Sequence, residues 1–184
     1  MWKKLLTTIA VCAMLGHAGV CAPPAPLANS GFEQTDATAP ERAASWSDYG
    51  SGYKLDTTHR SGTRSLRCDN LEGGKTSGAF VTYTLNQSRP VPIQVSGWSK
   101  AQDVDGVSDN DYSVYVDVVY SDGSSLYGQT APFETDTHDW QRGQVTNFPG
   151  KPVRSVNVYA LFRNHTGTVW FDDFAVREIT SDRL

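Results

Sequence analysis

Tyr112-Ser-Val-Tyr-Val-Asp-Val-Val-Tyr120 places Tyr112, Val114, Val116, Val118 and Tyr120 on one face and Ser113, Tyr115, Asp117 and Val119 on the other. Alternation with a period of two marks a strand with one face turned to a core. The same period runs through Val91 to Lys100, where Val91, Ile93 and Val95 oppose Gln94, Ser96, Trp98 and Lys100. In Arg154 to Arg163 it sets Val156, Val158, Ala160 and Phe162 against Asn157, Tyr159, Leu161 and Arg163. Weaker strand patterns cover Trp46–Tyr49, Tyr53–Asp56, Arg64–Asp69, Ala79–Leu85, Trp140–Val145 and Thr168–Arg177. Turn pairs such as Ser61-Gly62, Gly73-Gly74, Pro149-Gly150 and Thr166-Gly167 separate them. Many short strands with regular turns predict an all-β, two-sheet antiparallel β-sandwich, with the strand order left open.

The start of the chain reads differently. Met1-Trp2-Lys3-Lys4 is a short basic segment, and Leu5 to Val20 is mostly apolar or small. That layout predicts a secretory signal over residues 1–22, too short for a membrane span of about 20 apolar residues. Cleavage after Ala18 and after Ala22 both fit, and Ala18-Gly-Val-Cys21 resembles a bacterial lipobox, which would anchor the chain at Cys21. Residues 23–27 are a short Pro-rich linker, and residues 28–180 are expected to form one domain. The exported chain is then secreted or cell-surface bound, with no membrane span in its mature part. The cysteines, Cys12, Cys21 and Cys68, form no disulfide framework or metal-type spacing, so stability rests on a core. With a net charge of −4 and scattered lysines and arginines, no nucleic-acid partner is expected.

Five short motifs appear in order: Asn29-Ser-Gly-Phe-Glu33, Gly62-Thr-Arg-Ser-Leu66, Ser96-Gly-Trp-Ser-Lys-Ala101, Thr137-His-Asp-Trp-Gln141 and Trp170-Phe-Asp-Asp-Phe174. In that order they resemble the galactose-binding-like jelly-roll family, in particular carbohydrate-binding modules of bacterial polysaccharide-degrading enzymes. The resemblance implies a jelly roll that binds a glycan, with a glycan-degrading enzyme as partner. It also implies one structural Ca²⁺. Carried over by motif, its ligands are Glu33, Asp172 or Asp173, and loop carbonyls around His59, Ser61 and Thr63. A hard cation with six to eight oxygen ligands accepts such a set. Adjacent Asp172 and Asp173 point to opposite faces of a regular strand, which favours Asp172 unless a bulge intervenes.

The second candidate site comes from strand parity. Gln94 and Trp98 leave one strand on its outward side, Tyr115 and Asp117 a second, and Asn157, Tyr159 and Arg163 a third. If the strands share a sheet, the face carries aromatic rings for sugar C–H surfaces, ringed by groups that bond hydroxyls. Otherwise Trp98, Tyr115 and Tyr159 pack beneath loops. Trp46 and Trp140 are read as core residues, while Tyr49, Tyr53 and Tyr127 lie near turns and either extend a groove or decorate loops.

No G-x-S-x-G or H-E-x-x-H motif occurs, and the chain is read as a binding module and not an enzyme. Two alternatives remain: an exported structural or protein-interaction module of the same fold, and a small polysaccharide lyase using Tyr159, Arg163 and His165.

Overall fold

The computed structural model describes residues 26–180; the signal segment and residues 23–25 of the linker lie outside them. The expected all-β sandwich is what these residues form. Ten strands occur: β1 (Ser47–Asp48), β2 (Lys54–Asp56), β3 (Ser65–Asn70), β4 (Thr76–Thr84), β5 (Ile93–Val104), β6 (Tyr112–Tyr120), β7 (Ser125–Pro132), β8 (Asp136–Asn147), β9 (Val153–Arg163) and β10 (Gly167–Glu178). They make two five-stranded antiparallel sheets. The first has the order β1-β4-β9-β6-β7 and the second β2-β3-β10-β5-β8. Among the described residues no helix is long and apolar enough to cross a membrane.

The alternation in β6 and β9 sends Val114, Val116, Val118, Val156, Val158, Ala160 and Phe162 into the space between the sheets, where all are buried. Leu66, Ile93, Val95, Val169 and Phe171 meet them from the second sheet. Tyr112 sits at the centre, its ring centroid 5.2 Å from Phe133, 5.5 Å from Phe162 and 5.9 Å from Phe171. Its hydroxyl exchanges a 2.6 Å hydrogen bond with Ser99 Oγ, so the phenol is buried without an unmet polar group. Burial of the valines and these rings, at about 25 cal/mol per Å² of apolar surface, is the main term holding the sheets together.

A second aromatic cluster closes one end. Trp46, buried as expected, lies 4.8 Å from Phe32 and 5.3 Å from Phe174, and Tyr53 is buried beside it. Leu27 is also buried, so the domain begins inside the segment read as linker. Trp140, in contrast, is only partly buried in β8. Strand β7 had no clear alternation: Ser-Leu-Tyr-Gly-Gln-Thr-Ala-Pro is an edge strand whose pairing with β6 shifts register between Val116 and Val118.

Candidate functional site

The first sheet turns one face outward, and its register sets the residues of that face in rows. Phe80 of β4, Tyr159 of β9, Tyr115 of β6 and Thr130 of β7 are cross-strand partners in one row. Thr82, Asn157 and Asp117 form the next. Tyr159 is the hub: its ring stacks on Phe80 at 5.4 Å and 25°, and meets Tyr49 at 5.3 Å and Tyr115 at 5.2 Å edge-on. Burial, followed by the nearby Asp117 carboxylate, pushes the Tyr159 hydroxyl up to about 12. Tyr115 is raised by the same two causes in the same order. These phenols are therefore neutral donors at physiological pH.

Polar groups surround the rings. Thr82 Oγ1 donates to Asn157 Oδ1 at 2.8 Å. Gly128 N donates to Asp117 Oδ1 at 3.1 Å from a bulge in β7, and the φ of +73° there suits glycine and few other residues. Arg163 pairs through Nε with Asp111 Oδ1 at 2.5 Å, and Asp111 Oδ2 accepts Asn164 Nδ2 at 2.6 Å. The arrangement is an aromatic platform with directional acceptors and donors at its rim.

The residues read as one face from strand parity are divided by the structure. Tyr115, Asp117, Asn157, Tyr159 and Arg163 do share it. Gln94 and Trp98 do not, because β5 lies in the second sheet between β10 and β8. Trp98 is half-buried there under Arg60, whose Cζ is 3.7 Å from the ring centroid. Gln94 is buried, with Nε2 3.3 Å from Thr146 Oγ1. Strand parity shows which side of its own sheet a residue takes; it does not show which sheet a strand joins. Phe80 and Thr82 were missed, because Ala79–Leu85 was read only as a weak strand and nothing in it shows that it pairs with β9. Tyr49 joins the platform, Tyr53 belongs to the core, and Tyr127 is an exposed edge residue. His165 does not join Tyr159 and Arg163: it is buried against Phe162, with its ring nitrogens 2.7 Å from Asp105 O and 3.1 Å from Asp109 Oδ1.

The acidic motifs meet at the loop before β3. Asp172 is fully buried, and its Oδ2 accepts Arg60 N at 2.9 Å and Ser61 N at 3.3 Å, while Oδ1 accepts Asp173 N at 2.8 Å. The register of β10 against β5 shifts between Asp172 and Ala175, and Asp173 has a φ of +50°. This bulge turns Asp173 to the same loop, where it pairs with Arg60 at 2.6 Å and accepts Ser61 Oγ at 2.7 Å. Opposite-face geometry therefore does not separate the two aspartates. Glu33 reaches the loop from the other side, accepting Thr63 N at 2.9 Å, Thr63 Oγ1 at 2.6 Å and Arg64 N at 3.1 Å. His59 donates its Nδ1–H to Thr57 O at 2.7 Å.

Burial pushes the Asp172 carboxyl up to about 6, and the charge of Asp173 adds to this against the loop N–H bonds. For Glu33 burial acts upward, but the bonds from Thr63 and Arg64 hold it below the usual range. Glu33 and Asp172 face one loop from two sides, and carboxylates are the oxygen ligands a hard cation takes. Among the described residues, no cluster of three or more His, Cys, Asp or Glu side chains is arranged to hold a metal ion, so an ion here would need backbone carbonyls as well.

No family model matches the chain. Among curated proteins it is 39% identical over 102 residues, 53% of its length, to the tRNA nuclease WapA of Bacillus subtilis strain 168. It is 34% identical over 118 residues, 62% of its length, to the tRNA3(Ser)-specific nuclease WapA of Bacillus spizizenii. The chain spans only 4% and 5% of the length of these relatives. Their names correct the expectation that the chain is not an enzyme, since the curated relatives point to one. They also leave the expected lack of a nucleic-acid partner without support.

Solved structures similar to this one include carbohydrate-binding modules. The CBM22-1 xylan-binding domain from Paenibacillus barcinonensis Xyn10C superposes with a TM-score of 0.59 at 14% identity, over 83% of this chain and 93% of that one. TmCBM61, in complex with beta-1,4-galactotriose, gives 0.53 at 16% identity over 83% and 97%. The C-terminal family 22 module of Clostridium thermocellum Xyn10B gives 0.53 at 16% identity over 84% and 96%. With two antiparallel five-stranded sheets and these neighbours, the described residues carry the jelly-roll β-sandwich fold of the carbohydrate-binding modules.

Proposed function

We propose that the outer face of the first sheet binds a glycan. The observation that carries this reading is the row Phe80–Tyr159–Tyr115, with Tyr49 at its edge and Asp117, Asn157 and Thr82 beside it. Sugar rings stack their C–H faces on such aromatics, and planar polar groups take their hydroxyls. A single exposed face of this kind gives an affinity on the order of 10 µM to 1 mM. The same reading includes a structural Ca²⁺ held by Glu33, Asp172 and carbonyls of the 59–63 loop, where it joins the first and last segments of the domain and neutralises buried charge. It also includes export to the cell surface or medium, where the partner is a polysaccharide and the enzyme that degrades it.

The test is a pull-down of the chain on a panel of insoluble polysaccharides, with Ca²⁺ and with EDTA, alongside Tyr159→Ala. Retention of the wild type on at least one polymer and loss in the variant, with melting preserved, supports the reading. Retention of neither removes it.

The names of the curated relatives favour a second reading, in which this domain forms part of a protein that cleaves tRNA. Incubating the chain with tRNA and following both cleavage and gel retardation tests it; intact, unretarded tRNA is the result that counts against it.

A further inference from the structure

We propose that Asp117 makes this face selective for uncharged glycans, so that polymers bearing uronate or sulfate groups are turned away. This rests on the reading of the face as a glycan site.

Asp117 is 7% exposed, and no ion pair among the described residues includes it. Its protein partners are the Gly128 N–H and the neighbouring Tyr115 and Tyr159 hydroxyls. An ionised carboxylate has about four lone-pair positions, and burying one without a counter-ion is costly. Such a group, kept beside the aromatic row by a bulge that depends on glycine, points to an incoming set of donors. Vicinal sugar hydroxyls are a neutral set that a planar carboxylate accepts.

The rest of the face does not offset this charge. Arg163, two rows beyond Tyr159 and three from Asp117, is the cation on β9, and Asp111 already holds it at 2.5 Å. Thr82, Asn157 and Thr130, the other polar side chains of the central rows, are uncharged. One carboxylate is thus left uncompensated where the polymer would lie. Two like charges about 6 Å apart at an effective dielectric near 20 weaken binding on the order of 100-fold, and solvent screening reduces this to about tenfold.

Affinity electrophoresis of the chain in gels of soluble xylan, galactan and β-glucan (neutral) and of polygalacturonate and alginate (acidic) tests the assignment. The expected result is retardation by at least one neutral polymer, with every acidic polymer at least about tenfold weaker. In Asp117→Asn, which keeps an acceptor for the Gly128 N–H, the gap between neutral and acidic polymers narrows at least about fivefold. Should that variant fail to fold, salt supplies the second readout: from 20 to 300 mM NaCl, wild-type binding to acidic polymers strengthens while neutral binding changes less than about twofold. An acidic polymer bound as well as the best neutral one overturns the selectivity and leaves the glycan reading intact. Retardation by none of the polymers overturns that reading, and the selectivity with it.

Discussion

The buried carboxylate of Asp172 makes the stability of the fold depend on pH. Its folded pKa of about 6 stands above the ordinary value of 3.8 because of burial, then the charge of Asp173. The folded state therefore holds this proton more tightly than the unfolded chain, and stability rises as pH falls through the folded value. The difference of about 2 pKa units is worth about 3 kcal/mol in total, since each unit is about 1.4 kcal/mol. About 2 kcal/mol of it appears between pH 6.5 and 4.5, which for a domain of this size raises the melting temperature by roughly 4 to 8 °C. The assay is thermal unfolding in EDTA across that interval, in the wild type and in Asp172→Asn, the difference between their slopes being the signal. Excess Ca²⁺ should flatten the wild-type slope, because a bound cation already offsets the charge. Equal slopes for the two proteins in EDTA would refute the argument, and an unchanged slope in Ca²⁺ would refute the metal site.

Three further outcomes are expected. In His165 burial acts to lower the pKa, but bonds to Asp109 and to Asp105 raise it overall, so its stabilisation is complete below the ordinary value of 6.5 and lost as pH rises through the folded value; His165→Gln should flatten the decline in melting temperature between pH 6.5 and 8.5. A Cβ at Gly97 would lie 2.8–2.9 Å from three carbons of the Phe174 ring; chemical denaturation of Gly97→Ala should show a loss of about 1–3 kcal/mol, as for overpacked cores. Trp98→Ala removes the ring beneath Arg60 on the second sheet and should cost about 1 kcal/mol with polysaccharide binding unchanged; binding lost in this variant, with melting preserved, would place the glycan on the wrong sheet.

The sequence by itself determined the class of fold and the inward face of the strands that became β6 and β9. Period-two alternation in Tyr112–Tyr120 and Arg154–Arg163 reports which side of a strand faces the core, because successive Cβ atoms point to opposite sides. For that reason Tyr115, Asp117, Asn157, Tyr159 and Arg163 were legible as outward residues. What the alternation does not carry is hydrogen-bonding partnership: Trp98 and Tyr159 have the same parity signature, yet β5 pairs with β10 and β8 while β9 pairs with β4 and β6. Pairing depends on contacts between residues far apart in the chain, so only the tertiary structure put Phe80 beside Tyr159 and sent Trp98 to the opposite sheet. The bulge after Asp172 is of the same kind. Its sequence reads as a regular strand, but Ser30 O accepts Phe174 N at 2.9 Å and loop 60–61 donates to both aspartates, and these contacts decide where the carboxylates point.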